Sequence, residues 1–308
     1  MPIHLIRRRA AVLTSALMLV VAASACGTGT SQASSDQPVL TISSIPDQDP
    51  DKLAERDGAM ATYLAKTLEV KVEYVPVTDY AASVSLFRTG DLDLVFYGGL
   101  TGVQARLQAP GSVLIAQRDI DDAFESVFIA NNRSGIDTVS SVDGLSVFAG
   151  RRFTFGAETS TSGRLMPEYF LDKAGVDAQT DLNGPPGYSG SHDKTIDLVA
   201  SGTYEGGALN VQVWKSRLER KSVDLDKVHA VFTSPPYHDY HWLAGPDTNE
   251  RFGAGFSDKI TQAMLTLSDA VPEQANILEL YGAGRFITTQ ADNYREIEEI
   301  GRKRKLIG

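Results

Sequence analysis

The chain has 308 residues, 42% hydrophobic and 22% charged, and its 39 acidic against 29 basic side chains give a formal net charge of −10. That composition is ordinary for a globular protein, and the acidic balance excludes nucleic acid as a partner, because phosphate backbones call for clustered Lys and Arg. Cys26 is the single cysteine, so an intramolecular disulfide is excluded and the fold must rest on packing.

Residues 12–26, VLTSALMLVVAASAC, follow Arg7, Arg8 and Arg9. A basic n-region, a short apolar run and small residues before the break make a secretory signal over 1–25. The apolar run is about 15 residues, short of the roughly 20 needed to span a bilayer. Ala23-Ser24-Ala25-Cys26 resembles a bacterial lipobox, in which the cysteine is acylated and becomes the new N-terminus. The alternative is an ordinary cleaved signal with a chance cysteine. The polar, Gly- and Ser-bearing stretch over 26–38 reads as a flexible tether and favours the lipoprotein reading. Loss of the three arginines, with no acid among residues 1–25, takes the charge from −10 to −13. An anion would therefore meet a repelling overall field, and its attraction must come from local dipoles or a local cation.

About 270 residues then remain, which predicts two lobes of about 100–150 residues each. Residues 39–45 read as a strand, 52–68 as a helix with apolar residues near helical spacing, and 70–77 as an alternating strand. A helix over 80–89 is stopped by Gly90, and the apolar run 92–98 reads as a strand buried on both faces. This order predicts an α/β lobe. A second lobe takes strands over 126–132, 145–156 and 206–214, the last running into a further helical segment, and helices over 165–174 and 194–201. Helices over 257–267, 272–280 and 292–303 close the chain. The expected boundaries are 39–127 plus 236–308 for the first lobe and 128–235 for the second.

Ligands of open α/β sheets lie at the carboxyl ends of strands, where helix N-termini leave N–H groups free for anions. Three segments fit. In 153–171 a strand ends at Gly156, and Thr159, Ser160, Thr161 and Ser162 lead into a helix. N-capping needs one hydroxyl rather than four, so oxyanion binding and simple capping both stay open here. In 184–202, Tyr188, Ser189, Ser191 and His192 lead a helix. In 95–105, Tyr97 ends a strand before Gly98 and Gly99, which permit close backbone approach. His238 and His241 stand three apart with His229 nearby, but without an HExxH pattern or a cysteine cluster no metal site is assigned. No cofactor motif is found. With Cys26 committed and no G-x-S-x-G elbow, no nucleophile is found either.

Taken in order, these segments resemble the substrate-binding lipoproteins of the phosphonate and phosphite type that feed ABC importers. The carrying motifs are Ser44-Ile45-Pro46-Asp47-Gln48, Phe96-Tyr97-Gly98-Gly99, Ser160-Thr161-Ser162-Gly163, Tyr188-Ser189-Gly190-Ser191-His192-Asp193 and Ser234-Pro235-Pro236-Tyr237. The sequence is also similar to chains of a selenate-transport subgroup. The resemblance implies a type II periplasmic-binding-protein fold, two α/β lobes closing around a two-strand hinge. It implies a monomer that is no enzyme, held on the outer face of the cytoplasmic membrane by lipid on Cys26 and serving a cognate ABC permease. The ligand would be a small tetrahedral oxyanion such as phosphite, a phosphonate, sulfate or selenate. Ser160, Thr161 and Ser162 would bind its oxygens. Tyr97 and Tyr188 would supply phenols, His192 would donate from the second lobe, and Asn210 with Asp47 would complete the cavity. Relatives that bind aminoalkylphosphonates carry an acid where this chain has Asn210, which points away from such ligands. A sensory lipoprotein or an enzyme on the same clamshell is the alternative.

Overall fold

The computed structural model describes residues 38–308, so the expected signal, Cys26 and nearly all of the tether lie outside the described residues. The first run is β1 (Val39–Ser44), α1 (Pro50–Leu68), β2 (Lys71–Tyr74), α2 (Tyr80–Thr89), β3 (Leu94–Tyr97), α3 (Gly99–Gln108) and β4 (Val113–Arg118). The middle run is β5 (Ser126–Asn131), β6 (Phe153–Phe155), α4 (Met166–Lys173), β7 (Gly187–Tyr188), α5 (His192–Ala200), β8 (Gly206–Asn210), α6 (Val211–Glu219) and β9 (Val228–Thr233). The chain returns through β10 (His241–Ala244), α7 (Thr248–Phe252), α8 (Phe256–Leu265), α9 (Pro272–Tyr281), β11 (Phe286–Ile287) and α10 (Arg295–Lys303). One sheet has the order β11-β4-β10-β3-β1-β2 and the other β7-β6-β8-β5-β9. The first and last runs thus build one α/β lobe, and the middle run builds the other.

Local chemistry sets the helix ends. Asp79 accepts from the Ala82 N–H at 2.8 Å to start α2, and Gly90 ends it in the left-handed region at φ 78°. Two predicted strands are corrected. Within 145–156 only Phe153–Phe155 is strand, and Val142–Phe148 winds as a 3₁₀ helix. Leu145 and Phe148 stand three apart, the repeat of that helix, and both are buried. In 206–214 the strand stops at Asn210, whose Oδ1 accepts from the Gln212 and Val213 N–H groups at 2.7 and 3.3 Å. That side chain is an N-cap, and it turns Val211 onward into α6. Strands β4, β9 and β10 were not foreseen.

The second sheet begins at Ser126, two residues before the expected boundary. Two threads cross between lobes, 119–125 and 234–240. They pair with each other: Phe124 and Tyr237 exchange backbone hydrogen bonds at 2.8 and 2.9 Å, and the Asp239 N–H donates to the Asp121 carbonyl at 3.0 Å. This paired hinge continues into β4/β10 on one side and β5/β9 on the other, both antiparallel pairs. Among the described residues no helix is long and apolar enough to cross a membrane.

Candidate functional site

The chain from Gly156 to Ser162 places its hydroxyls between the lobes. Thr161–Leu165 forms a wide π-type turn that runs directly into α4; such turns recur at functional sites. Ser160 Oγ accepts from the Gly163 N–H at 3.0 Å and so acts as the N-cap. Thr161 and Ser162 follow at the first turn, where N–H groups have no intrahelical partner. Gly163 packs so closely that a Cβ there would lie 3.1 Å from both Gly156 Cα and His192 Cε1 and 2.9 Å from Ser160 Oγ. Only glycine lets this turn sit against α5.

The facing lobe supplies three elements. At the start of α3 the Gly99 N–H donates to Asp239 Oδ1 at 2.8 Å, and the Leu100 N–H donates across the cleft to Thr161 Oγ1 at 2.9 Å. A Cβ on Gly98 would come within 3.2 Å of both acceptors, so a bare backbone is required there. The loop after β1 brings Asp47, whose carbonyl accepts from the His192 N–H of the other lobe at 2.9 Å. The start of α2 brings Tyr80.

A hydrogen-bond chain joins the hinge to these elements. Asn210 Nδ2 donates to the Tyr240 hydroxyl at 3.1 Å, and that hydroxyl donates to Asp47 Oδ2 at 2.8 Å. Asn210 N–H points at His192 Nδ1 at 3.4 Å, so a neutral ring carries its hydrogen on Nε2, 3.5 Å from the Tyr240 hydroxyl. On the other flank the Tyr237 phenol donates to Ser126 Oγ at 2.6 Å, which donates to the Ser162 carbonyl at 2.8 Å. Four buried oxygens in this set have no protein partner: Ser162 Oγ, Tyr80 Oη, Asp47 Oδ1 and Asp239 Oδ2. Buried polar atoms without partners are uncommon, and four in one place define a polar site between the lobes. A groove of about 920 Å³ adjoins it, lined by Pro46, Gln48, Asp79, Glu158, Tyr188 and Asp193.

Charge in the site is arranged in layers. Burial lowers the His192 pKa against the pull of Asp47 and Asp193, leaving a neutral imidazole. Burial pushes Asp239 up to about 7; the nearby Asp121 adds to this, against the Gly99 N–H, Thr161 and Arg118. Burial and the facing Asp47 carboxylate raise Tyr80 and Tyr240 well above the ordinary tyrosine value. Behind Tyr240 lies a cationic layer. The Arg118 guanidinium stands 4.9 Å from the Tyr240 ring centre, and Phe96 stacks on that ring at 5.3 Å. Arg56 lies 5.4 Å from the Phe96 ring. Each cation is paired, Arg56 with Asp57 at 2.8 Å and Arg118 with Asp121 at 2.6 Å. No unpaired cation among the described site residues reaches the four free oxygens.

The expected residues fall into three groups. Asp47, Ser160, Thr161, Ser162, His192 and Asn210 converge. Tyr97 does not: its phenol donates to the Ser83 carbonyl at 2.8 Å, and its ring packs edge-on against Phe87 in the first lobe's core. Strand β3 is buried on both faces, so its sequence carries no alternation to say which residue faces the cleft. Tyr188 is 37% exposed, with its ring stacked on Phe155 at the groove mouth rather than among the buried oxygens. The phenols of the site are Tyr80, Tyr237 and Tyr240, and with Asp239 and Ser126 they were missed. The Pro235-Pro236 break before Tyr237 was the available signal. The histidines weighed for metal go elsewhere. His241 is buried against Tyr294 at 4.1 Å, and burial holds it down to about 4. His229 bonds Asn132 and the Ile136 carbonyl.

Two α/β lobes on a paired two-strand hinge, with a closed polar site between them, define a periplasmic-binding-protein fold. The chain belongs to the family of ABC transporter, phosphonate, periplasmic substrate-binding proteins, whose model matches residues 42–294. It is 47% identical over 269 residues to the "Probable ABC transporter phosphite binding protein PhnD1" of Prochlorococcus marinus (strain MIT 9301), covering 87% of this chain and 91% of that protein. The solved structure of PhnD1 in complex with methylphosphonate superposes with a TM-score of 0.85, covering 87% of this chain and 99% of the other. The "Phosphate-import protein PhnD" of Mycolicibacterium smegmatis is 27% identical, covering 74% of each chain. These relatives are substrate-binding proteins, not enzymes. The chain is accordingly an extracytoplasmic binding component of an ABC importer.

Proposed function

We propose that this protein captures a small tetrahedral oxyanion of the phosphite, phosphonate or selenate kind in the interlobe cleft. It delivers that ligand to a cognate permease as a monomer, anchored to the outer face of the membrane through lipid on Cys26. The observation that carries this reading is the group of four buried, unpartnered oxygens beside the Thr161–Ser162 turn. Ser162 and Tyr80 offer free hydroxyls, Thr161 and Ser162 offer first-turn N–H groups, and His192 offers Nε2–H. Ser160 holds the turn, and Asn210 holds Tyr240. PhnD1, solved with methylphosphonate, supports this ligand class. Neutral donors in a closed cleft suffice, because a hydrogen bond to a charged group contributes about 1.5–3 kcal/mol.

The test is a calorimetric and thermal-shift panel of the purified protein against phosphite, methylphosphonate, selenate, sulfate and 2-aminoethylphosphonate. Stabilisation should grow with concentration as RT ln(1 + [L]/Kd) for an inorganic or methylated oxyanion. Silence towards every anion in the panel would refute the reading. Closure itself leaves a kinetic trace. Asp193 of the second lobe accepts from the Asp49 N–H at 3.1 Å and from Lys52 Nζ at 3.3 Å, both in the first lobe. Asp193→Ala is expected to raise the ligand dissociation rate about fivefold, the equivalent of about 1 kcal/mol for a partly exposed pair. Stopped-flow release that matches the parent protein would show that this contact does not hold the cleft shut.

A further inference from the structure

We infer that the ligand must share protons with the site, Asp47 Oδ1 accepting a P–OH hydrogen and Asp239 Oδ2 giving its own hydrogen to a ligand oxygen, so that protonated phosphorus oxyanions enter and sulfate and selenate are refused. This rests on reading the cleft as an oxyanion site and names which oxyanions it takes. Of the four unpartnered oxygens, two are hydroxyls that donate and two belong to carboxylates that accept when ionised. Asp47 Oδ2 already accepts from Tyr240, so its Oδ1 is open to one more hydrogen. Asp239 Oδ1 already accepts from the Gly99 N–H, which leaves Oδ2 in the same position.

A bare dianion has only acceptors and would set oxygen against oxygen at Asp47. A phosphoryl-type anion differs, since its second ionisation lies close to neutral pH, at about 6 for a phosphate monoester. The hydrogen accounting closes with two protons. The ligand hydroxyl donates to Asp47, and Asp239, raised to about 7 by burial, keeps its own hydrogen and donates to a ligand oxygen. Other groups facing Asp239 are Thr161, Tyr80, Tyr237, Tyr240 and Tyr294, with Asp121 and Arg118 behind. Those facing Asp47 are Tyr80, Tyr240, His192 and Arg56. The one cation in each set is already bonded to an aspartate, Arg118 to Asp121 and Arg56 to Asp57, so neither is free to replace the missing hydrogen.

Titration calorimetry of the whole protein, from about pH 6 to about pH 9 and in buffers of different ionisation heat, tests this. Phosphite affinity should fall about tenfold per pH unit above neutrality, with uptake of at least about one proton on binding. Sulfate and selenate should bind at least about 100-fold more weakly than phosphite at about pH 7. Asp239→Asn, which keeps an acceptor for the Gly99 N–H and turns Oδ2 into a permanent donor, should flatten the pH slope. Asp47→Asn, which puts a donor in place of the open acceptor, should narrow the phosphite-to-sulfate gap by about tenfold. Phosphite binding that ignores pH and takes up no proton would overturn the inference, as would sulfate binding on a par with phosphite. A clear preference for 2-aminoethylphosphonate would also overturn it, because the carboxylates would then hold an ammonium. These outcomes leave oxyanion binding itself intact, whereas binding of no anion at all would remove both readings.

Discussion

Replacing Thr161 and Ser162 together by alanine is expected to weaken phosphite or methylphosphonate binding by about 100-fold. The estimate comes from two separable losses. Ser162 Oγ is a buried hydroxyl with no protein partner, so its loss removes a donor that the proposed ligand would use. Thr161 Oγ1 accepts the Leu100 N–H from the opposite lobe, so its loss also leaves that N–H unsatisfied on closure. Each loss is worth about 1–3 kcal/mol, and together, at about 2–6 kcal/mol, they span the roughly 2.8 kcal/mol that a 100-fold change requires. Ser160→Ala is the contrasting variant. Ser160 Oγ caps the turn through Gly163, so its removal should lower stability by about 1 kcal/mol. Calorimetry on both variants separates the roles. A double variant within threefold of the parent protein would move the anion away from this turn.

The second large effect falls on stability rather than binding. Arg118→Ala should destabilise the protein by about 3–5 kcal/mol, a fall in Tm on the order of 10 °C for a chain of this size. Arg118 Nε and Nη2 bond Asp121 at 2.8 and 2.6 Å, and Nη1 bonds the Tyr281 carbonyl at 2.8 Å. Asp121 is fully buried, and its backbone carbonyl receives the Asp239 N–H of the other hinge thread. Truncating the arginine leaves a buried carboxylate without its cation at the point where the chain leaves the first lobe. The double substitution Arg118→Met with Asp121→Leu removes both charges and should recover most of the loss, since apolar replacements of a buried pair are often neutral. A single variant as stable as the parent protein, or a double variant worse than either single, would contradict this account of the pair.

Much of the fold was legible because the signals were local. Asp79 and Gly90 punctuate α2 to the residue, and the helical spacing of 52–68 holds through α1. The hydroxyl turn at 160–162 was legible for the same reason: cap, glycine and helix lie within a few residues of each other. What stayed hidden depends on distant pairing. Asp239 and Tyr240 matter because a hinge thread delivers them opposite Thr161 and Asp47, and no local pattern encodes that delivery. Tyr97 was expected in the site and Tyr80 was not, although each sits at the cleft end of an element, and only packing decides that Tyr97 turns towards Phe87. Strand β10 carries no strand signal of its own beyond Pro235-Pro236, although its four residues are all buried.

The position of β10 has a consequence for how the protein comes into being. It lies between β3 and β4 in the first sheet, yet the whole second lobe precedes it in the chain. A polypeptide emerging in order can therefore finish the middle unit first, since all five of its strands are present by Thr233. The outer unit keeps an open seam between β3 and β4 until residue 244 arrives to fill it. Pairings this remote in sequence are slow to form, so the first sheet is expected to close late, by insertion of one central strand before β11 adds to its edge, and the nascent chain exposes unpaired strand edges until that moment.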